Sequence, residues 1–186
     1  EAAELYTVDR RVATVASNGC HVVHCPESNL KLASGFCPVD RLQKAGINVA
    51  LGTDGAASND DLDLFAELRS AALLAKAVAN DPTALAAHAA LRMATVNGAK
   101  ALGMDTLIGS LEVGKQADIT AVRIDTLCAQ PMYDPASSLV YTSSGSRVSD
   151  VWVAGKRLLN NRQLTTLDET ALLANAVQWG EKIRGG

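Results

Sequence analysis

The chain is predicted to be an α/β protein built on a parallel sheet, with a smaller β domain following it. Three observations predict this. Ile47–Leu51 is apolar almost without interruption, as in a parallel strand covered by helices on both faces. The succession of residues 20–25, 38–45 and 47–51 gives strand, helix and strand, the signature of a βαβ unit. Beyond Ile108 the hydrophobic period changes to alternation, in Ile119–Ile124 and in Val148–Val153.

The elements follow in order. Asp9–Ser17 predicts a helix with Val12, Val15 and Ala16 on one side and Asn18-Gly19 as its stop. Cys20–Cys25 predicts a short strand. Pro26–Gly35, rich in Ser, Asn and Gly, predicts a long polar loop, mounted where loops commonly carry binding groups. Pro38–Ala45 predicts a short helix ended by Gly46, before the strand Ile47–Leu51. Ser58 and Asn59 are preferred N-caps, with Asp60, Asp61 and Asp63 as a solvated first turn. The helix they open should run to Ala79 and turn Leu64, Leu68, Ala71, Ala75 and Val78 toward the sheet. Asp81-Pro82 predicts the start of a further helix, which carries Leu85, His88 and Leu91 toward Thr95. His88 stands alone on it, in a packing or surface role. A helix around Gly98–Leu102 ends at Gly103. Met132–Ser138 and Ser143–Ser146 predict loops, and Ala154-Gly155-Lys156 a hairpin turn. The segment Asp168–Ile183 spaces Leu172, Ala176, Trp179 and Ile183 as an amphipathic helix for docking on a barrel or on a dimer partner. Its polar face is too weakly basic for a membrane surface.

Composition narrows the classes. The 186 residues are 48% hydrophobic with a mean hydropathy of +0.09, as in a soluble globular protein with an ample core. A net charge of -3 gives no electrostatic reason to expect nucleic acid or an anionic membrane as partner. No apolar run is long enough for a transmembrane helix, and Glu1-Ala2-Ala3-Glu4 does not resemble a signal peptide. Cys20, Cys25, Cys37 and Cys128 are too few for a disulfide scaffold, so a reducing, cytoplasmic setting is expected.

The string Gly52-Thr53-Asp54-Gly55 carries the most chemical information. It sets one carboxylate at the end of a buried strand, between glycines that let the backbone turn tightly and approach a ligand. In a β/α barrel that end of a strand is where chemistry sits; a turn or capping role for Asp54 is equally compatible with the string alone. Cys20-His21-Val22-Val23-His24-Cys25 offers zinc-type ligands, but on a strand His21 and His24 point to opposite faces. Cys20 and Cys25 are therefore expected to be small buried hydrophobes and His21 a strand-entry residue. His24, just before Pro26, lies on the face where a barrel site would be.

Three segments together resemble a family. His24-Cys25-Pro26-Glu27-Ser28-Asn29-Leu30-Lys31-Leu32-Ala33-Ser34-Gly35, then Gly52-Thr53-Asp54-Gly55-Ala56-Ala57-Ser58-Asn59, then Ile108-Gly109-Ser110-Leu111-Glu112-Val113-Gly114-Lys115-Gln116-Ala117-Asp118-Ile119 occur in the order found in the amidohydrolase superfamily. The match is to its 5'-methylthioadenosine/S-adenosylhomocysteine deaminase-like branch, of the triazine-hydrolase type. The resemblance implies a (β/α)₈ barrel with a metal held by a His-x-His pair on the first strand, a His on the fifth and an Asp on the eighth. No His-x-His occurs in this sequence, and a complete barrel needs about 250 residues. The expectation is the C-terminal part of such a barrel over residues 1–106, part of a small β-sandwich domain over 107–165, and a docking helix over 166–186.

The function implied is metal-dependent hydrolytic deamination of an adenosine-type nucleoside by a parent enzyme, with Zn²⁺ as cofactor and its other ligands outside this chain. Asp54 would be the metal ligand and the catalytic proton acceptor. His24 and Ser58 would orient the substrate, supported by Ser28 and Asn29. Glu27, not required to be acidic in the family, is expected to be an exposed loop carboxylate. The chain alone would be inactive, and its partner would be a second copy or the missing barrel half. Two alternatives stand beside this: another hydrolase of the same scaffold (a guanine or oxidised-purine deaminase, or a chlorohydrolase), and a non-catalytic interaction module.

Overall fold

A computed structural model describes residues 2–185, with side chains from Asp9 onward. Glu1, part of the N-terminal segment weighed as a leader, lies outside the described residues. The described chain divides into two compact units, one running to Lys115 and including Ile124–Arg147, the other formed by Gln116–Arg123 and the residues from Val148 onward.

The first unit holds the parallel pair. Helix α1 (Ala2–Ser17) precedes strand β1 (Val22–His24), and β1 pairs in parallel with β2 (Val49–Leu51) in the register Val22↔Val49, Val23↔Ala50, His24↔Leu51. Every residue of β2 is buried, as its continuous apolar pattern requires. Parallel register puts His24 and Leu51 at the same level, and the Gly52 amide closes the ladder on the His24 carbonyl at 3.0 Å. Whatever follows His24 and whatever follows Leu51 therefore emerges at one edge.

Between the strands lie α2 (Pro26–Lys31) and α3 (Val39–Lys44). The expected loop over Pro26–Gly35 is thus in its first half a helix. Pro26 sits at the first helical position, where its missing N–H costs nothing, Glu27 lies in the first turn and Lys31 in the last, each favourable to the helix dipole. The Ser and Asn content suggested a loop, but Pro26, Glu27 and Lys31 stand at helix-favouring places and decide the outcome.

After β2 come α4 (Ala56–Asn59) and α5 (Leu64–Ala79). The single helix expected from Ser58 is broken in two. Asp60 and Leu62 take positive φ, the Asn59 side chain accepts the Leu62 amide at 2.6 Å, and α5 starts afresh with Asp63 as the N-cap on Phe65 at 2.9 Å. Asp63 is therefore the cap, in place of Ser58 or Asn59, and it also accepts the Gly145 amide at 2.9 Å. Leu68, Ala71 and Ala75 of α5 are buried as expected, while Leu64 and Val78 at its ends are exposed.

The helix expected from Asp81 starts later, as α6 (Ala87–Met93), because Asp81 spends its carboxylate on a turn, accepting from the Thr83 amide and hydroxyl. His88 is exposed on it. Helix α7 (Val96–Ala101) follows, and α8 (Pro135–Tyr141) occupies part of the expected loop over Met132–Ser138. Asp134 caps α8 through the Ala136 and Ser137 amides, with Pro135 at its first turn, the role that Asp81-Pro82 was expected to play and does not. The core is formed by Val39, Leu42, Val49, Leu51, Leu68 and Met93, closed by Val140 of α8.

The second unit is a four-stranded antiparallel sheet: β3 (Ile119–Val122), β4 (Val148–Val153), β5 (Lys156–Asn160) and β6 (Gln163–Leu164), in that spatial order. Val153 pairs with Lys156 across Ala154 and Gly155, both with positive φ, as a two-residue hairpin requires. Helix α9 (Glu169–Gly185) ends the unit with Leu172, Leu173, Val177, Trp179 and Ile183 exposed. Among the described residues no helix is long and apolar enough to cross a membrane.

Candidate active site

The edge where β1 and β2 end gathers His24, Ser28, Asp54 and Ser58. Gly52 is required by space: a Cβ there would meet Val23 Cγ1 at 2.9 Å and Cys25 Sγ at 3.3 Å. The tight turn itself is made without glycine. Gly55 has an ordinary φ of -86°, and Asp54 carries the left-handed conformation with φ 62°. Asp is among the few residues that enter this region readily, though still at a cost on the order of 1 kcal/mol. The strain projects the carboxylate clear of the strand end, where it is exposed.

Two hydroxyls converge on that carboxylate. Ser28 Oγ donates to Asp54 Oδ2 at 2.9 Å and Ser58 Oγ donates to the same oxygen at 3.0 Å. These bonds, Ser28 first, with the Gly55 amide, hold Asp54 below the usual carboxylate range. Ser28 is buried on α2 and Ser58 half-buried on α4, so the carboxylate is gripped from two elements. Asn29 is half-buried beside Ser28.

His24 is 4% exposed, and burial pushes its pKa down to about 4. The ring is neutral at physiological pH, and its buried Nδ1 has no hydrogen-bond partner in the structure. An unsatisfied buried polar atom in a native fold calls for an explanation, such as a role in binding. His21, on the opposite face, is exposed and meets the Asn48 side-chain nitrogen at 2.9 Å. Cys25 is half-buried, but Cys20 is exposed rather than buried, since β1 begins only at Val22.

One residue escaped the sequence reading and another is placed differently from it. Glu67, on α5, is fully buried, and desolvation pushes its pKa up to about 7. Its Oε2 accepts the Glu27 amide at 3.0 Å and its Oε1 accepts from the Asn59 side chain at 2.5 Å. The signal was present: Glu67 shares the i, i+4 row with Ala71 and Ala75, a carboxylate inside the apolar stripe. Glu27, expected in an exposed loop, is part-buried on α2 and accepts from the Ser70 hydroxyl at 2.8 Å.

As to a metal, a zinc centre takes about four ligands, at least three of them from protein in catalytic sites. Asp54 suits one such position, being exposed, ionised and held through one oxygen. Among the described residues no three His, Cys, Asp or Glu side chains gather as a ligand set.

Comparison with known proteins places the chain in a family. The model of the amidohydrolase family matches residues 2–158. The 5-methylthioadenosine/S-adenosylhomocysteine deaminase of Teredinibacter turnerae is 58% identical over 172 residues, covering 92% of this chain and 39% of its own length. That of Saccharophagus degradans is 49% identical over 176 residues, with 95% and 40% covered. Among solved structures, an adenosine deaminase from Xanthomonas campestris with bound zinc superposes with a TM-score of 0.93 at 54% identity, over 96% of this chain and 40% of that one. Atrazine chlorohydrolase from Arthrobacter aurescens complexed with zinc superposes with a TM-score of 0.82 at 34% identity, over 91% and 38%. The chain spans about two-fifths of the length of each of these relatives.

Proposed function

The chain belongs to the amidohydrolase family, and from that premise we propose that it is the C-terminal part of a zinc-dependent deaminase acting on 5'-methylthioadenosine or S-adenosylhomocysteine. The observation that carries the reading is the pair of hydroxyls, Ser28 and Ser58, on one oxygen of Asp54 at the shared end of β1 and β2. The names of relatives at 58% and 49% identity support a nucleoside, and the lower 34% identity to the chlorohydrolase disfavours a triazine.

In this reading Asp54 is a metal ligand, with the remaining ligands outside this chain. Zinc, when bound, supplies a water acidified toward neutral pH. The chain's own residues do the rest. Asp54 accepts a proton at its carboxylate and returns it toward the departing amine, so that water adds at the amine-bearing carbon and ammonia leaves. Ser28 and Ser58 fix the carboxylate's orientation by occupying Oδ2. His24, neutral and lacking a partner for Nδ1, completes its bonding on the nucleoside, with Asn29 beside it and Ser58 reaching the same ligand. The same reading divides the chain into the barrel's end up to residue 106, the small β domain over 107–165, and a docking helix over 166–186. It also implies a cytoplasmic enzyme, and a second copy or the rest of the barrel as the cover for apolar faces such as Trp179 and Ile183.

A substrate panel on the full-length protein tests the assignment. Release of ammonia from 5'-methylthioadenosine and S-adenosylhomocysteine, with kcat/KM at least about tenfold above that for guanine or a chlorotriazine, is expected. Preference for guanine or the triazine would replace the nucleoside while keeping the family.

A further inference from the structure

Glu67 lies behind the site and touches no residue assigned to it directly, yet its two oxygens address the neighbours of both hydroxyls. Oε2 takes the amide of Glu27, the residue before Ser28, and Oε1 takes the side chain of Asn59, the residue after Ser58. Asn59 is itself buried and fixed by its second bond to the Leu62 amide. We propose that Glu67 is a positioning residue that clamps α2 and α4 together so that Ser28 and Ser58 meet on Asp54 Oδ2. This inference rests on the role given above to Asp54.

Three features favour a clamp over a packing role. A carboxylate is the side chain that can accept from both donors at once; an amide in its place has a single acceptor oxygen. A buried carboxylate is expensive to keep, and an apolar residue in line with Ala71 and Ala75 would serve the core at no such cost. Finally, apart from the two serine bonds on Asp54 itself, the only other tie between α2 and α4 among the described side-chain bonds is exposed. Lys31 Nζ reaches Asp60 Oδ2 at 2.7 Å and the Ala57 carbonyl at 3.1 Å on the solvent side, where an ion pair is worth little.

The test uses the zinc-loaded full-length enzyme with Glu67→Gln, Ser28→Ala/Ser58→Ala, their combination, and Asp54→Asn as reference. The clamp predicts that Glu67→Gln lowers kcat/KM by about 10- to 100-fold, the size expected of a displacement near 1 Å, per folded, zinc-containing molecule. It predicts that the combined variant is no worse than the serine pair alone, because both remove one interaction. It predicts faster amide exchange in residues 27–31 and 56–59 together. Adding Asn59→Asp to Glu67→Gln exchanges donor for acceptor and should restore most of the loss, while Lys31→Ala should change kcat/KM less than threefold. Should Glu67→Gln not accumulate as folded protein, Asn59→Ala, which cuts one arm, carries the same comparison. Unchanged kcat/KM in Glu67→Gln, or additive losses in the combination, with Asp54→Asn inactive, would overturn the clamp alone. An active Asp54→Asn would overturn it together with the role of Asp54.

Discussion

Asp54 and His24 show how one edge of a sheet makes two opposite electrostatic environments. Asp54 is exposed and kept ionised by donated hydrogen bonds, whereas His24, one strand over, is buried and kept neutral by desolvation. The His24 shift has a direct consequence for stability. Its folded-state pKa, about 4, lies below the ordinary 6.5. Between those values the unfolded chain binds more protons, so the contribution is full above pH 6.5 and is lost as pH falls toward 4. His24→Gln, which cannot charge, should unfold at a midpoint that changes less between pH 7 and pH 4 than the wild type; parallel curves for the two proteins would remove this account of His24. Asp54 and His24 stood out in the sequence because each sits at a strand end, whereas Ser28, Asn29 and Ser58 became candidates only through the family resemblance of their segments. The sequence did not make Glu67 visible as a site residue, since its partners, the Glu27 amide and Asn59, are 40 and 8 residues away and only packing brings them together.

At the scale of elements, local capping chemistry decided where helices start, and it decided against several first expectations. Asp63 and Asp134 cap helices, and Pro26 and Pro135 occupy first-turn positions. The segments around Pro26 and Pro135 suggested loops because Ser and Asn compete for the backbone wherever no cap fixes the start, while that around Asp63 suggested a helix opened too early, at Ser58 or Asn59. The long strands and the hairpin were legible because their hydrophobic period is unambiguous: Val148–Val153 forms β4 and Ala154-Gly155 the turn. Asp63 joins two elements, capping α5 while accepting the Gly145 amide. Asp63→Ala should therefore cost about 1–2 kcal/mol, the range for a lost N-cap, with the Gly145 bond holding it at the upper end. Urea unfolding would measure it, and a change under 0.5 kcal/mol would show that α5 is held by packing alone.

For the whole molecule, the family match and the superposition on zinc-bound relatives run across most of the chain, and the β1–β2 edge is where its own side chains gather around Asp54. The βαβ core and the antiparallel sheet were both legible from periodicity, while the ligand set is not to be found in this sequence because no His-x-His occurs in it. Leu172, Leu173, Val177, Trp179 and Ile183 on α9 are exposed, and in the proposed reading the docking role of that helix would cover them. The central claim is that Asp54 is both metal ligand and proton acceptor in a nucleoside deaminase. The most direct measurement is ammonia release from 5'-methylthioadenosine by the full-length protein and its Asp54→Asn variant, with zinc content and unfolding midpoint recorded for both. Asn accepts the left-handed conformation of residue 54 and its oxygen still receives the serine hydroxyls, so the midpoint should stay unchanged. The rate should fall at least about 100-fold, beyond the loss typical of groups that only support a ligand. An Asp54→Asn protein that keeps its zinc and turns over at close to the wild-type rate would contradict the account.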